Sequence, residues 1–179
     1  MSYLKLTYIL LAFFWMPTYA QNDQDDKKQI SKLIESYSRC VIERDSLRFY
    51  ELFNDGPVVW AAVLAERSAA REKAELNDRK PRSNYSSGSY KGFMRAILRY
   101  GSTADKFDNI RIVTDGSVAA VTMDYSFWAE HKMTNWGGKY LCLVKRDGKW
   151  KITSVIYSIE LSNYYPQPPL KIRKGSNHQ

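Results

Sequence analysis

Ser117–Glu130, "SVAAVTMDYSFWAE", is the stretch whose reading decides the fold. Ala119, Val121, Met123, Tyr125 and Phe127 fall on every second position, so as a strand they share one face. An Asp-Gly pair at Asp115–Gly116 precedes the run, and such pairs suit tight hairpin turns. Upstream lies another strand-like segment, "KFDNIRIVT" (Lys106–Thr114). Downstream lie "GGKYLCLVKR" (Gly137–Arg146) and "KWKITSVIYSIEL" (Lys149–Leu161), parted by a second Asp-Gly pair at Asp147–Gly148. The remaining link, "HKMTNWGG" (His131–Gly138), reads as a connection. Together these segments predict a meander of long antiparallel strands.

Ahead of the meander the period is helical. Ile30, Leu33, Ile34, Tyr37 and Val41 recur at the spacing of one buried helix face. Asp26 and Gln29 stand as a capping box at its start. Asp45 then caps a short helix, "SLRFYELF", with Leu47, Tyr50 and Phe53 facing the core. "NDGP" is a turn, and "VVWAAVL" (Val58–Leu64) is a strand. The segment 66–87 begins as a charged helix with almost no large apolar residue and ends as a loop. Ser89 caps a further helix, with Phe93, Ile97 and Tyr100 on one face and Gly101 at its end. Helices, one strand, then a long antiparallel run define an α+β protein. A cone-shaped, strongly curved antiparallel sheet wrapped around the N-terminal helices is the expected form.

Residues 1–20, "MSYLKLTYILLAFFWMPTYA", have the layout of a secretory signal peptide: Lys5, an apolar run from Leu6 to Met16, Pro17, and an exit at Ala20. The apolar run is shorter than the about 20 residues of a membrane span, so no stable span is expected after cleavage. Cleavage would leave 21–165 as one domain and 166–179 as a loose basic tail. The chain would then be secreted or periplasmic. Its formal charge is +8, or +7 once Lys5 is lost with the leader. For an exported chain that balance points to acidic ligands, anionic envelope surfaces or solubility, and not to nucleic acid. Cys40 and Cys142 both sit in apolar-patterned segments and read as buried free thiols, with a bridge between them the alternative that export allows. No close His/Cys spacing suggests a metal, and no glycine-rich phosphate loop suggests a nucleotide, so no cofactor is expected.

Three stretches resemble the nuclear transport factor 2-like superfamily in its SnoaL-like bacterial branch. They are "YSRCVIERDSLRFYELF" (Tyr37–Phe53), "DGSVAAVTMDYSFW" (Asp115–Trp128) and "KYLCLVKRDGKWKITSVIYS" (Lys139–Ser158). The resemblance runs from about 30 to 161, and only the 66–87 insertion exceeds the family pattern. It implies a cone whose mouth is apolar. Within the superfamily stand isomerases, dehydratases, cyclases and non-catalytic binders, so the fold does not settle the function.

The resemblance implies a role for Tyr37, which lies eight residues before Asp45, as the oxyanion donor of the isomerase branch does. The base of that branch would fall at Ala61, eight residues after Phe53, where no proton can be taken. Ile156 and Tyr157 stand before Ser158, where relatives often carry a His. His131, beside Glu130, reads as a solvated loop residue. The expected pocket is therefore an aromatic hollow without a proton acceptor, lined by Tyr37, Trp60, Met123, Tyr125, Phe127, Tyr140 and Tyr157. Three functions follow. The cone binds a small apolar or aromatic ligand without catalysis; or it is an enzyme using Tyr37 as donor; or it is an interaction module, dimerising through an outer sheet face marked by Val118, Ala120 and Trp128.

Overall fold

A computed structural model describes residues 17–75 and 83–170, with side-chain burial described from residue 23 onward. The expectations for residues 1–16 and for the tail beyond residue 170 lie outside the described residues. In chain order the elements are α1 (Pro17–Glu43), α2 (Ser46–Glu51), β1 (Val59–Leu64), α3 (Glu66–Glu75), β2 (Tyr85–Ser87), α4 (Tyr90–Ile97), β3 (Thr103–Thr114), β4 (Val118–Ala129), β5 (Lys132–Arg146) and β6 (Lys149–Leu161). One six-stranded sheet has the order β2-β1-β6-β5-β4-β3, antiparallel except where β1 runs parallel to β6. The sheet is curved and unclosed, and α1 packs along β3. Among the described residues no helix is long and apolar enough to cross a membrane.

The meander forms as its alternation requires. Ala119, Val121, Met123 and Tyr125 are buried while Val118 and Ala120 are exposed. The link between β4 and β5 is shorter than expected. Glu130 and His131 both adopt positive φ, at 49° and 62°, and form the two-residue turn by themselves. β5 therefore starts at Lys132, inside the stretch read as a connection. Glu130 fits this turn because its carboxylate accepts the backbone N–H groups of Gly101 (2.5 Å) and Ser102 (3.2 Å), tying the turn to the start of β3. The β5–β6 turn carries Asp147 at φ 50° and Gly148 at φ 73°, the pair of left-handed residues its hairpin needs.

Both predicted caps on the short helices are present. The Asp45 side chain accepts from Arg48 N at 3.0 Å, and Ser89 Oγ from Gly92 N at 3.0 Å. Their buried faces differ from the expected ones. Phe49, not Leu47, is buried on α2, and Met94 joins Ile97 on α4 while Tyr100 is exposed. Asp26 is not a cap, because α1 runs continuously from Pro17 across Ala20–Gln21 and beyond it. It is instead 1% exposed, and its Oδ1 accepts Lys145 Nζ (2.6 Å) and the Trp150 indole N–H (3.0 Å). This carboxylate fastens α1 to the β5–β6 hairpin, and those donors hold its pKa below the ordinary range. The 66–87 insertion holds α3 and the edge strand β2. Glu160 anchors α3 by accepting Arg67 Nε (2.7 Å) and Ser68 Oγ (2.7 Å).

Cys40 is buried as expected. Cys142 is exposed, and both thiols are free. The cause is strand parity: Cys142 lies between Leu141 and Leu143, whose side chains take the inner face.

Candidate functional site

Two charged residues stand inside the cone where sequence reasoning expected none. Asp105, on β3, is fully buried, and Lys139, on β5, is 3% exposed. Lys139 Nζ hydrogen-bonds Asp105 Oδ2, making a buried ion pair. Register explains the meeting. Asp105 pairs with Phe127 and Lys139 with Met123, both inward-facing positions of β4.

Rings close around this pair. Lys139 Nζ lies 4.5 Å from the centroid of Tyr125, 5.0 Å from Phe107, 5.2 Å from Tyr37 and 5.4 Å from Tyr157. The Tyr125 hydroxyl has its own partners, the Ser158 carbonyl at 2.8 Å and the Asn135 side-chain oxygen at 3.0 Å. Gly137 makes that geometry feasible, since a Cβ there would lie 2.3 Å from the Ser158 carbonyl oxygen. The Tyr37 hydroxyl and Asp105 Oδ1 are different: both are buried without a hydrogen-bond partner. Such orphans are uncommon in native interiors, and each costs about 1–3 kcal/mol.

Burial sets the electrostatics. It pushes the Asp105 carboxyl up, against the pull of Lys139. It pushes the Lys139 ammonium down, against the pull of Asp105. The phenols of Tyr37 and Tyr125 are driven well up by burial, and the Asp105 charge adds to this. A phenol so raised stays protonated and donates. A carboxylate so raised is a better base near neutral pH than a solvated one. A phenol, a carboxyl group and an amine thus lie together in one water-poor interior.

Six of the seven expected pocket residues gather here or beside it. Tyr37, Met123 and Tyr125 are buried, and Trp60 is 7% exposed. Phe127 and Tyr157 pack half-buried against the same core. Trp60 contacts Tyr157 at 6.1 Å and Phe93 at 5.1 Å between ring centroids. Tyr140 does not join them; it is 54% exposed and pairs with Ile156 on the outer face. Ala61 also lies opposite Ile156, on the face away from the cone, so an acid at that position would not reach the interior. The expectation of an interior without a proton acceptor is overturned by Asp105.

The signals for Asp105 and Lys139 were present but needed parity. Counting back by twos from Phe107 reaches Asp105 and Thr103, both buried, because the strand begins at Thr103, three residues ahead of the strand-like segment that opens at Lys106. Counting back from Leu143 and Leu141 reaches Lys139, which makes Tyr140 outward. A one-residue slip in register turns every side chain over. Two surface concavities of about 340 and 430 Å³ also occur. The first lies among Gln29, Arg48, Glu51, Lys149 and Trp150, the second among Arg71, Glu75 and Tyr164. Neither shares a residue with the Asp105–Lys139 cluster.

A curved sheet holding helices in its hollow is a fold that solved structures share. The chain has the nuclear transport factor 2-like fold. It is similar to a protein of unknown function from Mycobacterium tuberculosis (14% identity, 88% of this chain and 85% of that one, TM-score 0.59). It is also similar to a provisionally named scytalone dehydratase of Novosphingobium aromaticivorans (16%, 79% and 89%, TM-score 0.57). A nuclear transport factor 2-like protein of unknown function from Pseudomonas putida matches at 13% identity over 83% and 97%, with a TM-score of 0.57. No protein-family model matches the sequence, and no curated protein does.

Proposed function

We propose that the cone receives a small aromatic or otherwise apolar molecule bearing a carbonyl or hydroxyl oxygen, and that Asp105 moves a proton on it. Four buried side-chain atoms among the described residues lack a hydrogen-bond partner, and the observation that carries this is that two of them, Tyr37 Oη and Asp105 Oδ1, lie together among the rings around Lys139. A ligand oxygen would accept from the Tyr37 hydroxyl, and a ligand C–H or O–H would meet Asp105. Rings supply apolar contact area and the few polar groups fix orientation, the usual division of labour in small-molecule sites. With donor and base both present, isomerisation or dehydration is the supported reaction class, ahead of passive binding. The provisional name of the Novosphingobium protein points to the same class. Entry would pass the half-buried ring of Phe93, which stands 6.4 Å from Tyr37 and 6.3 Å from Phe127 between centroids. The site of action is secreted or periplasmic, on the strength of the leader-like residues 1–20.

The test uses 4-hydroxyacetophenone in heavy water. Proton abstraction at its methyl group is read as deuterium uptake by NMR. The protein should speed uptake over buffer, and Asp105→Asn should remove about 10²–10⁴-fold of that rate. An exchange rate equal to buffer, with no rise in melting temperature on adding the ketone, would refute the reading.

A second reading concerns the outer sheet face. Val63, Val113, Val118, Tyr140 and Ile156 are all exposed there, at 39% to 71%. An apolar face of this kind fits a homodimer.

A further inference from the structure

The amine of Lys139 has chemistry that a hydrogen-bonding site does not require. Lysines are seldom fully buried, and a Lys retained in an interior is usually paired or functional. Here the Nζ atom is bonded to one carboxylate oxygen and otherwise faces π systems: Tyr37, Phe107, Tyr125 and Tyr157 all lie within 5.4 Å of it. Among the described residues no backbone carbonyl or second carboxylate accepts from it. Across from it, Asp105 Oδ1 is free to hold a second proton-bearing group, and the Tyr37 hydroxyl is free to donate.

Resting on the reading of the cone as a ligand site, we infer that Lys139 captures an aromatic aldehyde or ketone covalently, as a protonated imine, with Asp105 as proton shuttle and Tyr37 as donor to the carbonyl oxygen. The step balances within the site. The proton of the ion pair passes from Nζ to Asp105 Oδ2, leaving a neutral amine and a carboxylic acid. The Nζ lone pair attacks the carbonyl carbon, forming the C–N bond, and the C=O π pair moves to oxygen. That oxygen takes the Asp105 proton, and Asp105 recovers one from the nitrogen, giving a neutral carbinolamine. Asp105 then protonates the hydroxyl, the C–O bond breaks, water leaves, and the nitrogen lone pair closes the C=N bond. The product is an iminium beside a carboxylate, with the net charge of the starting pair. No oxidant or reductant enters. Burial favours the neutral amine that must attack, and the rings exclude the water that would hydrolyse the product.

The experiment incubates the purified protein with 4-hydroxybenzaldehyde and sodium cyanoborohydride, which fixes any imine as a stable secondary amine. Peptide mapping by mass spectrometry then locates the adduct, so no variant has to fold. Melting temperature with p-cresol, which has the ring but no carbonyl, is measured alongside. The expected result is an adduct at Lys139 forming about tenfold or more faster than at exposed lysines such as Lys91 or Lys149. Saturating p-cresol should slow it tenfold or more, which labelling of an unfolded chain would not show. If p-cresol raises the melting temperature while only exposed lysines are labelled, covalent capture is overturned and the binding site stands. If p-cresol has no effect and Lys139 is unlabelled, both are overturned.

Discussion

At the scale of single residues, the interior is decided by a charge pair that a hydrophobic core would not need. Removing one partner of a buried pair leaves the other stranded, while removing both need not cost stability. Lys139→Met should therefore destabilise the fold by about 3–5 kcal/mol, and adding Asp105→Leu should restore most of the loss. Urea unfolding followed by circular dichroism reads both values. If the single variant is as stable as the parent, the pair is not the buried unit described. Asp105 and Lys139 were legible only through strand parity. By type they look like surface residues, and only their position on alternating strands places them inside. Tyr37, Trp60 and Tyr125 were legible because aromatic residues at core spacing are buried whichever function they serve.

Among the elements, the strands of the meander were largely legible, since period two and Asp-Gly turns are strong local signals. Connections were less so. The Glu130–His131 turn depends on a carboxylate contact with Gly101 and Ser102, about 30 residues away in sequence, and no local pattern announces it. The same holds for Asp26. Its capping-box spacing is genuine, but Lys145 and Trp150, which decide its role, lie more than 100 residues on. Its folded pKa is depressed, so the unfolded chain takes up the proton more readily. The stability it contributes is complete above the unfolded value of about 3.9 and is lost as pH falls through the lower folded value. Denaturant titrations between pH 6 and pH 2 should show this acid loss, and Asp26→Asn should flatten it. An unchanged pH slope in the variant would remove Asp26 from the α1–hairpin tie.

For the whole molecule, the curved sheet separates two faces of different chemistry. The interior holds Asp105 and Lys139 from the strands and Tyr37 from α1. The outer face carries exposed Tyr140 and Ile156, paired side by side across β5 and β6. If copies of the chain meet there, Tyr140→Lys with Ile156→Lys should convert a dimer to a monomer in sedimentation velocity without lowering the melting temperature of the fold. A monomeric parent would dismiss the interface. Fold resemblance did not make the buried acid legible: the position it pointed to, Ala61, lies opposite the exposed Ile156, while Asp105 comes from β3.

On the proposed reading, the Tyr37 hydroxyl stays unpaired inside the protein because a ligand oxygen is its partner. Two quantities measured on Tyr37→Phe decide this: the unfolding free energy without ligand, and the Kd for 4-hydroxyacetophenone. Deleting an unsatisfied buried hydroxyl should leave the ligand-free protein as stable as the parent, or up to about 1 kcal/mol more stable, while weakening binding about tenfold. A variant that is destabilised by more than 1 kcal/mol yet binds the ketone as tightly as the parent would contradict the account, because the hydroxyl would then serve the fold and not a ligand.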